Sequence, residues 1–205
     1  LGYGLEGQAM ALALEKYAAG CEITIADQDE QVTVEHPKYW KQIGTGWLQN
    51  LAKFDVIIKS PGIPPKELLT TNYQLLTTPT QIFLDSIKDS GATVIGITGS
   101  KGKSTTASLI HAILTKAGKH SFLIGNIGEA AISHIADASS NTTCGEPCRT
   151  IFVQEMSSYQ LMDLTSSPQI AVITSFFPEH LDYHKSLENY LEAKKHITRF
   201  QRPDD

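Results

Sequence analysis

Cysteine, tryptophan and methionine are scarce in this sequence, with three, two and three residues among 205. Cys21, Cys144 and Cys148 are an odd number and too few for a disulfide framework, which excludes the small disulfide-stapled secreted folds. Cys144 and Cys148 are spaced as half of a metal site, but they have no partner pair and lie in a polar stretch, so they read as an ordinary reduced loop. No apolar run approaches the roughly 18 residues of a membrane span. The first residues show no basic segment followed by an apolar one, so the cytoplasm is the expected compartment. Positive charge is also short: 17 lysines and arginines stand against 22 acids, a formal charge of −5. That balance leaves no electrostatic footprint for nucleic acid or an anionic membrane, so any anionic ligand has to be held by a local site. With 41% hydrophobic and 19% charged residues, disorder, collagen and coiled coil are excluded, and the chain is long enough for one or two globular domains.

The chain opens abruptly on Leu1-Gly2-Tyr3-Gly4, glycines of the kind that follow a strand, so a leading segment is expected to be missing. Apolar residues recur at helical spacing over residues 5–19, and residues 22–26 read as a strand closing on Asp27. A β-branched run at 55–59 stops at Ser60-Pro61-Gly62. A helix over 80–88 precedes Asp89-Ser90-Gly91, the expected linker. The pattern then restarts with a strand at 93–98, a glycine loop and a helix from 103 to 117. Further strands at 121–124, 151–154 and 170–174 lead to a final helix at 187–200. This alternation predicts an α/β protein of two domains, residues 1–88 and 89–205, each opening on its own glycine loop.

Gly2, Gly4 and Gly7 have the G-x-G-x-x-G spacing, and Asp27 lies 20 residues beyond Gly7, where a carboxylate can meet a ribose hydroxyl. Such glycines let the backbone approach phosphate at a helix N-terminus, although the same pattern also serves as a plain tight turn. Gly99-Ser100-Lys101-Gly102-Lys103-Ser104-Thr105 is more informative, because it follows an apolar strand and opens a helix. Backbone amides there can cradle phosphates, Lys103 can neutralise β/γ oxygens and the Ser104 hydroxyl can ligate Mg²⁺. The loop is shorter than the common phosphate-binding pattern, since Ile97 stands where that pattern has its first glycine.

Glu155 follows an apolar run and should project from the C-terminal end of a strand, where α/β ligand sites lie. It suits a metal held on a nucleotide, or a surface salt bridge. His180 and His184 have an i,i+4 spacing, but Pro178 and the lack of a catalytic glutamate pattern argue against a metalloprotease, and they read as loop histidines. Lys194 and Lys195 read as a solvated helix face, and charge counting singles out neither.

Taken together, Gly99 to Thr105, Gly125-Asn126-Ile127-Gly128, Glu155-Met156-Ser157-Ser158-Tyr159-Gln160-Leu161, His180-Leu181-Asp182 and Asn189-Tyr190-Leu191-Glu192-Ala193-Lys194 resemble the Mur ligase family, in its order. With Gly2 to Gly7 and Ser60-Pro61-Gly62-Ile63 in front, the resemblance favours its D-glutamate-adding members and runs from Gly2 to about Ile197. It implies an N-terminal Rossmann-like domain that binds a UDP-linked substrate, followed by part of a P-loop-type α/β central domain that binds ATP. The implied activity is ATP-dependent amide ligation of D-glutamate to UDP-N-acetylmuramoyl-L-alanine in peptidoglycan synthesis, with ATP and Mg²⁺ as cofactors and a monomer at full length.

Carried over, Gly4, Leu5, Glu6, Asp27, Ser60, Pro61 and Gly62 would border the UDP substrate, and Gly99 to Thr105 would hold ATP. Asn126 would lie near the junction of phosphates and nucleotide sugar. Ser104, Glu155 and His180 would be metal ligands. Lys103, His180 and Lys194 would serve the reaction, Lys194 matching the lysine that the family carbamylates to help place a second Mg²⁺, with Lys195 a bystander. Glu6 departs from the pattern, being awkward beside phosphates unless it points away. The chain also ends inside the expected central domain, so a fragment lacking the C-terminal, amino-acid-binding domain, and inactive alone, is expected. Three alternatives remain open: a folylpolyglutamate synthase-like ligase, a non-catalytic nucleotide-binding module, and an oxidoreductase read from Gly2 to Asp27, against which the Gly99 to Thr105 loop argues.

Overall fold

Every strand pairing in the computed structural model is parallel, and the structure describes residues 1–64, 68, 75–139, 149–203 and 205. The described residues group into two compact units, Leu1–Pro79 and Thr80–Asp205. Cys144 and Cys148 lie outside the described residues, and Cys21 is an exposed free thiol.

In the first unit, helix α1 (Leu5–Tyr17) starts from Gly4 and buries Met10, Ala11 and Ala13. Strand β1 (Thr24–Asp27) pairs with β2 (Trp40–Ile43), and β3 (Val56–Ile58) pairs with β4 (Leu75–Thr77). Leu1 and Gly2 run between the two pairs. The Gly2 amide donates to the Ala26 carbonyl at 2.8 Å, and the Ser60 amide donates to the Leu1 carbonyl at 2.8 Å. One small core gathers Ala11, Ile25, Val34 and Tyr39, and a second gathers Leu51, Ile57 and Leu68.

In the second unit, β5 (Thr93–Thr98), β6 (Ser121–Gly125), β7 (Ile151–Glu155) and β8 (Ile170–Ile173) form one sheet in the order β6-β7-β5-β8. Central strands buried on both faces have to be apolar along their length, and Val94, Ile97, Phe152 and Val153 are almost wholly buried. Helix α3 (Lys103–Lys116) covers one face by packing Ala107, Ile110 and Leu114 against Ile97 and Val153.

Helix α2 (Pro79–Ile87) brings Phe83 edge-on to Phe152 at 5.2 Å. Gln81 binds Asp85 and Ser166 and accepts from the Thr165 amide. These contacts put α2 with the second unit, so the compact units divide at Pro79, upstream of the 88/89 boundary expected from Asp89-Ser90-Gly91. After β7, Ser157 and Gln160 form a reciprocal capping box that starts the single turn α4 (Ser158–Leu161). A second single turn, α5 (Leu181–His184), leads to α6 (Leu187–Arg199), whose N-cap Ser186 accepts from the Asn189 amide.

Candidate active site

Because β5 to β8 run parallel, the segments that follow them emerge at one sheet edge, the position where α/β folds place ligands. After β5 comes Gly99 to Gly102, after β6 the Gly125 to Gly128 tetrad, at the end of β7 Glu155, and after β8 the segment 174–180. Gly99 has φ +152°, and a Cβ there would lie 2.1 Å from the Thr174 hydroxyl, so only glycine fits. The loop is laced to the segment after β8. The Ser100 amide donates to the Ser175 carbonyl at 3.0 Å and the Lys101 amide to the Ser175 hydroxyl at 2.8 Å. The Ser100 hydroxyl is buried, donates to the Phe177 carbonyl, accepts from the Phe177 amide and meets the Tyr190 hydroxyl at 3.1 Å.

Two ammonium groups converge on one carbonyl. Lys103 Nζ donates to the Gly99 carbonyl at 3.0 Å and to that of Ser100 at 3.1 Å, while Lys194 Nζ donates to the same Gly99 carbonyl at 2.9 Å. Lys194 is 2% exposed and rests on the Tyr190 ring, 4.6 Å from its centroid. Burial lowers the Lys194 ammonium to about 8, the nearby Lys103 pushes the same way and Glu179 opposes them. Its neighbour Lys195 is half-exposed and pairs with Glu192 at 2.6 Å, as a solvated helix face should.

Glu155 is 1% exposed. Its Oε1 accepts from Asn126 Nδ2 at 3.3 Å, its backbone carbonyl accepts from the Asn126 amide at 3.0 Å, and its Oε2 is buried with no hydrogen-bond partner. Glu155 is in register with Ile97, so it shares the sheet face that α3 covers. Buried carboxylate oxygens are ordinarily bonded, so this one has capacity for a cation. His180 begins α5 with φ +55°, its ring 5.2 Å from that of Tyr159. His184 is buried and bonded through Nε2 to the Ser158 hydroxyl at 2.9 Å. Burial is the main cause lowering its pKa, with His180 and Lys194 assisting and Asp182 opposing. Among the described residues no three His, Cys, Asp or Glu side chains gather as a metal cluster.

The sequence reading did not single out Thr174, Ser175 or Glu179, nor Tyr190 apart from its motif. Glu179 forms an ion pair with Lys101 at 2.7 Å. The available signal was the polar Thr174-Ser175 pair just past an apolar strand, the place where loop-bonding hydroxyls are expected in a parallel sheet.

In the first unit the Tyr3 amide donates to Asp27 Oδ2 at 2.6 Å, and the Asp29 amide donates to the other oxygen at 2.9 Å. Asp27 thus holds the glycine loop. Gly2 has φ +81°, and a Cβ on Gly7 would lie 2.0 Å from the Gly2 carbonyl oxygen, whereas one on Gly4 meets nothing within 4 Å. The Ser60 hydroxyl donates to the Gly2 carbonyl at 3.2 Å, bringing the Ser60-Pro61-Gly62 turn beside the loop. Leu5, in the first turn of α1, is 86% exposed.

The geometry defines an α/β protein with parallel sheets and a glycine-loop-to-helix site at the sheet edge of its second unit. The Mur ligase middle domain matches residues 97–205, just over half of the sequence, and the chain belongs to the Mur ligase family. It is similar to the UDP-N-acetylmuramoylalanine–D-glutamate ligase of Acetivibrio thermocellus, 34% identical over 204 residues that make up 92% of this chain and 41% of the relative. The protein of the same name from Symbiobacterium thermophilum is 39% identical over 166 residues, 79% of this chain and 34% of the relative. A UDP-N-acetylmuramoyl-L-alanine–L-glutamate ligase of Salinispora tropica is 35% identical over 206 residues, 96% of this chain and 42% of the relative. The chain spans less than half the length of these curated relatives.

Proposed function

We propose that this chain supplies the UDP-substrate-binding and ATP-binding parts of an ATP-dependent ligase that adds D-glutamate to UDP-N-acetylmuramoyl-L-alanine through an acyl phosphate. In this reading Leu1–Pro79 is a Rossmann-like substrate unit and Thr80–Asp205 a P-loop-type ATP unit. The observation that carries it is the pair of ammoniums, Lys103 and Lys194, donating to one Gly99 carbonyl at the start of α3. Two cations on one neutral acceptor repel each other, and a polyphosphate turns that repulsion into attraction. The Gly102 to Thr105 amides at the helix start add a partial positive charge.

The residues present fit Mg²⁺, a hard cation that takes oxygen ligands. The buried Glu155 Oε2 and the Ser104 hydroxyl are such donors, with His180 on the same edge. Bound there, Mg²⁺ supplies charge neutralisation of the transferring phosphoryl group. Lys103 orients the β/γ phosphates, so that the alanyl carboxylate attacks the γ-phosphorus and ADP leaves. The glutamate amine then attacks the acyl carbon and releases phosphate and a proton. Carbamylation of Lys194, in which its neutral amine would add carbon dioxide and release a proton, is a separate state: it would exchange the second cation for an oxygen donor to Mg²⁺, whose own charge would then take the place of the lost ammonium beside the phosphates. In the first unit, the open space at Gly4, the exposed Leu5 and the Ser60 to Gly62 turn border the UDP substrate. Glu6 and Asp27 complete the proposed contacts of this unit, Asp27 acting by holding the loop, while in the second unit Asn126, bonded to Glu155, borders the phosphates and nucleotide sugar.

The Salinispora relative supports a second reading in which L-glutamate is the amino acid added. Both readings share UDP-N-acetylmuramoyl-L-alanine, so that is the ligand to test. Calorimetric titration of the 205-residue chain with this compound and, separately, with Mg²⁺-ATP should give saturable binding of each, and Lys103→Ala should lose ATP alone. ATP binding without the UDP compound would move the assignment to another amide ligase of the family.

A further inference from the structure

Lys101 differs from the other two lysines at the glycine loop. Its backbone is fixed: the amide donates to the Ser175 hydroxyl, and the carbonyl accepts from Thr174 Oγ1 at 2.6 Å and Ser175 Oγ at 2.9 Å. Its side chain is 75% exposed, and its ammonium meets Glu179 Oε1 at 2.7 Å. Lys103 and Lys194 are committed to loop carbonyls, whereas the Lys101 head sits on a four-carbon stem and points to a carboxylate of the segment that also carries His180. A fixed backbone with a swinging cation is the arrangement needed to change partners without moving the loop.

We propose that Glu179 holds Lys101 in reserve and that polyphosphate binding opens this ion pair, moving the Lys101 ammonium from the Glu179 carboxylate onto the phosphates. The inference rests on the reading of Gly99 to Thr105 as the phosphate site. A surface pair whose lysine is in solvent and whose carboxylate is partly covered favours its closed form by about fivefold, so a polyphosphate carrying several negative charges at a helix start outcompetes one carboxylate. Glu179 sets a threshold. Against a singly charged anion the pair stays closed, and against a triphosphate it yields and contributes a third lysine. The acid freed next to His180 then stands at the same edge, so filling the phosphate site changes the charge beside the other half of the site.

The test is calorimetric titration of the 205-residue chain with inorganic tripolyphosphate, in the wild type, Lys101→Met, Glu179→Gln, the double variant and Lys103→Ala. Lys101 is exposed and Glu179, with 20% of its side chain exposed, keeps its shape as glutamine, and thermal melts check that each variant is folded. Glu179→Gln should tighten binding roughly two- to fivefold. Lys101→Met should weaken it, with a loss about two- to fivefold greater in the Glu179→Gln background than in the wild type. Equal losses in the two backgrounds mean that Lys101 never changes partner and overturn the proposal. If Lys103→Ala abolishes binding while the Lys101 and Glu179 effects are additive, the phosphate site stands and the latch alone falls. If the wild type fails to bind, or Lys103→Ala binds like the wild type, the phosphate-site reading falls and the latch with it.

Discussion

The two glycine loops share a spacing logic and differ in charge. In the first unit Gly7 is needed because a Cβ would meet the Gly2 carbonyl, Gly2 because of its positive φ and the Ser60 side chain beside it, and the Tyr3 amide is already spent on the Asp27 carboxylate. In the second, Gly99 is needed because the segment after β8 closes on it, and Lys103 and Lys194 both reach its carbonyl. Glycine therefore reports only that two chain segments approach closely. What a loop can hold is decided by what surrounds it, here an acid that organises the first and a concentration of cations at the second.

The strongest way to break this comparison is to fill the glycines. Gly99→Ala combines a left-handed φ with a 2.1 Å approach to Thr174, and Gly7→Ala sets a methyl 2.0 Å from the Gly2 carbonyl. Each should destabilise its unit by about 2 to 5 kcal/mol, read from urea unfolding. A neutral result at either position would mean that the loop is looser than its contacts require.

Next in size is Lys103→Ala. It deletes charge-assisted bonds and should weaken ATP binding roughly 10- to 100-fold while leaving the UDP compound's affinity unchanged. Asp27→Asn is its counterpart in the first unit. It replaces a charged acceptor of the Tyr3 amide with a neutral one, for a loss of about 1 kcal/mol in stability and a weaker hold on the UDP compound, with ATP untouched. If either variant disturbs both ligands equally, the division of labour between the loops is wrong.

How much of this was readable in advance depended on whether a signal was local. β5, β7 and β8 were readable because apolar runs are what a parallel sheet needs. β2 and β4 were not: they are four and three residues long, and Trp40, Lys41 and Leu75 on them are exposed, so no burial pattern marks them. The helix α2 was readable as a helix, but an apolar face does not say which sheet it will cover, and Phe83 chose Phe152. Gly99 to Thr105 and Glu155 could be picked out by their positions after strands. Glu179 and the Tyr190 hydroxyl could not, because their meaning comes from Lys101 and Ser100, which lie far away in sequence and are joined to them only by the fold.

Acid sensitivity sharpens the comparison further. His184 is buried in the second unit with its pKa lowered, so the folded state binds fewer protons than the unfolded chain once the pH drops below the ordinary 6.5. Stability from this group is present above pH 6.5 and is lost as the pH falls from there toward the folded-state pKa. Melting temperature should therefore decline on mild acidification, and His184→Gln should flatten that decline. An unchanged slope in the variant would move the acid sensitivity to another group.

The smallest change is the most discriminating for the first loop. Gly4 has φ −71°, and a Cβ there meets nothing within 4 Å. Gly4→Ala lowers the entropy of the unfolded chain, which stabilises, and puts a poorer residue at the N-cap of α1, which destabilises by a similar amount. The net should be within about 0.5 kcal/mol. On the proposed reading, the methyl nonetheless occupies the space through which the UDP substrate reaches the start of α1. Unaltered stability with weakened binding of UDP-N-acetylmuramoyl-L-alanine would show that this gap is kept for substrate. Unaltered stability with unaltered binding would leave the first loop as a turn whose glycines serve only its own packing, and would move the UDP contacts to Leu5 and the Ser60 to Gly62 turn.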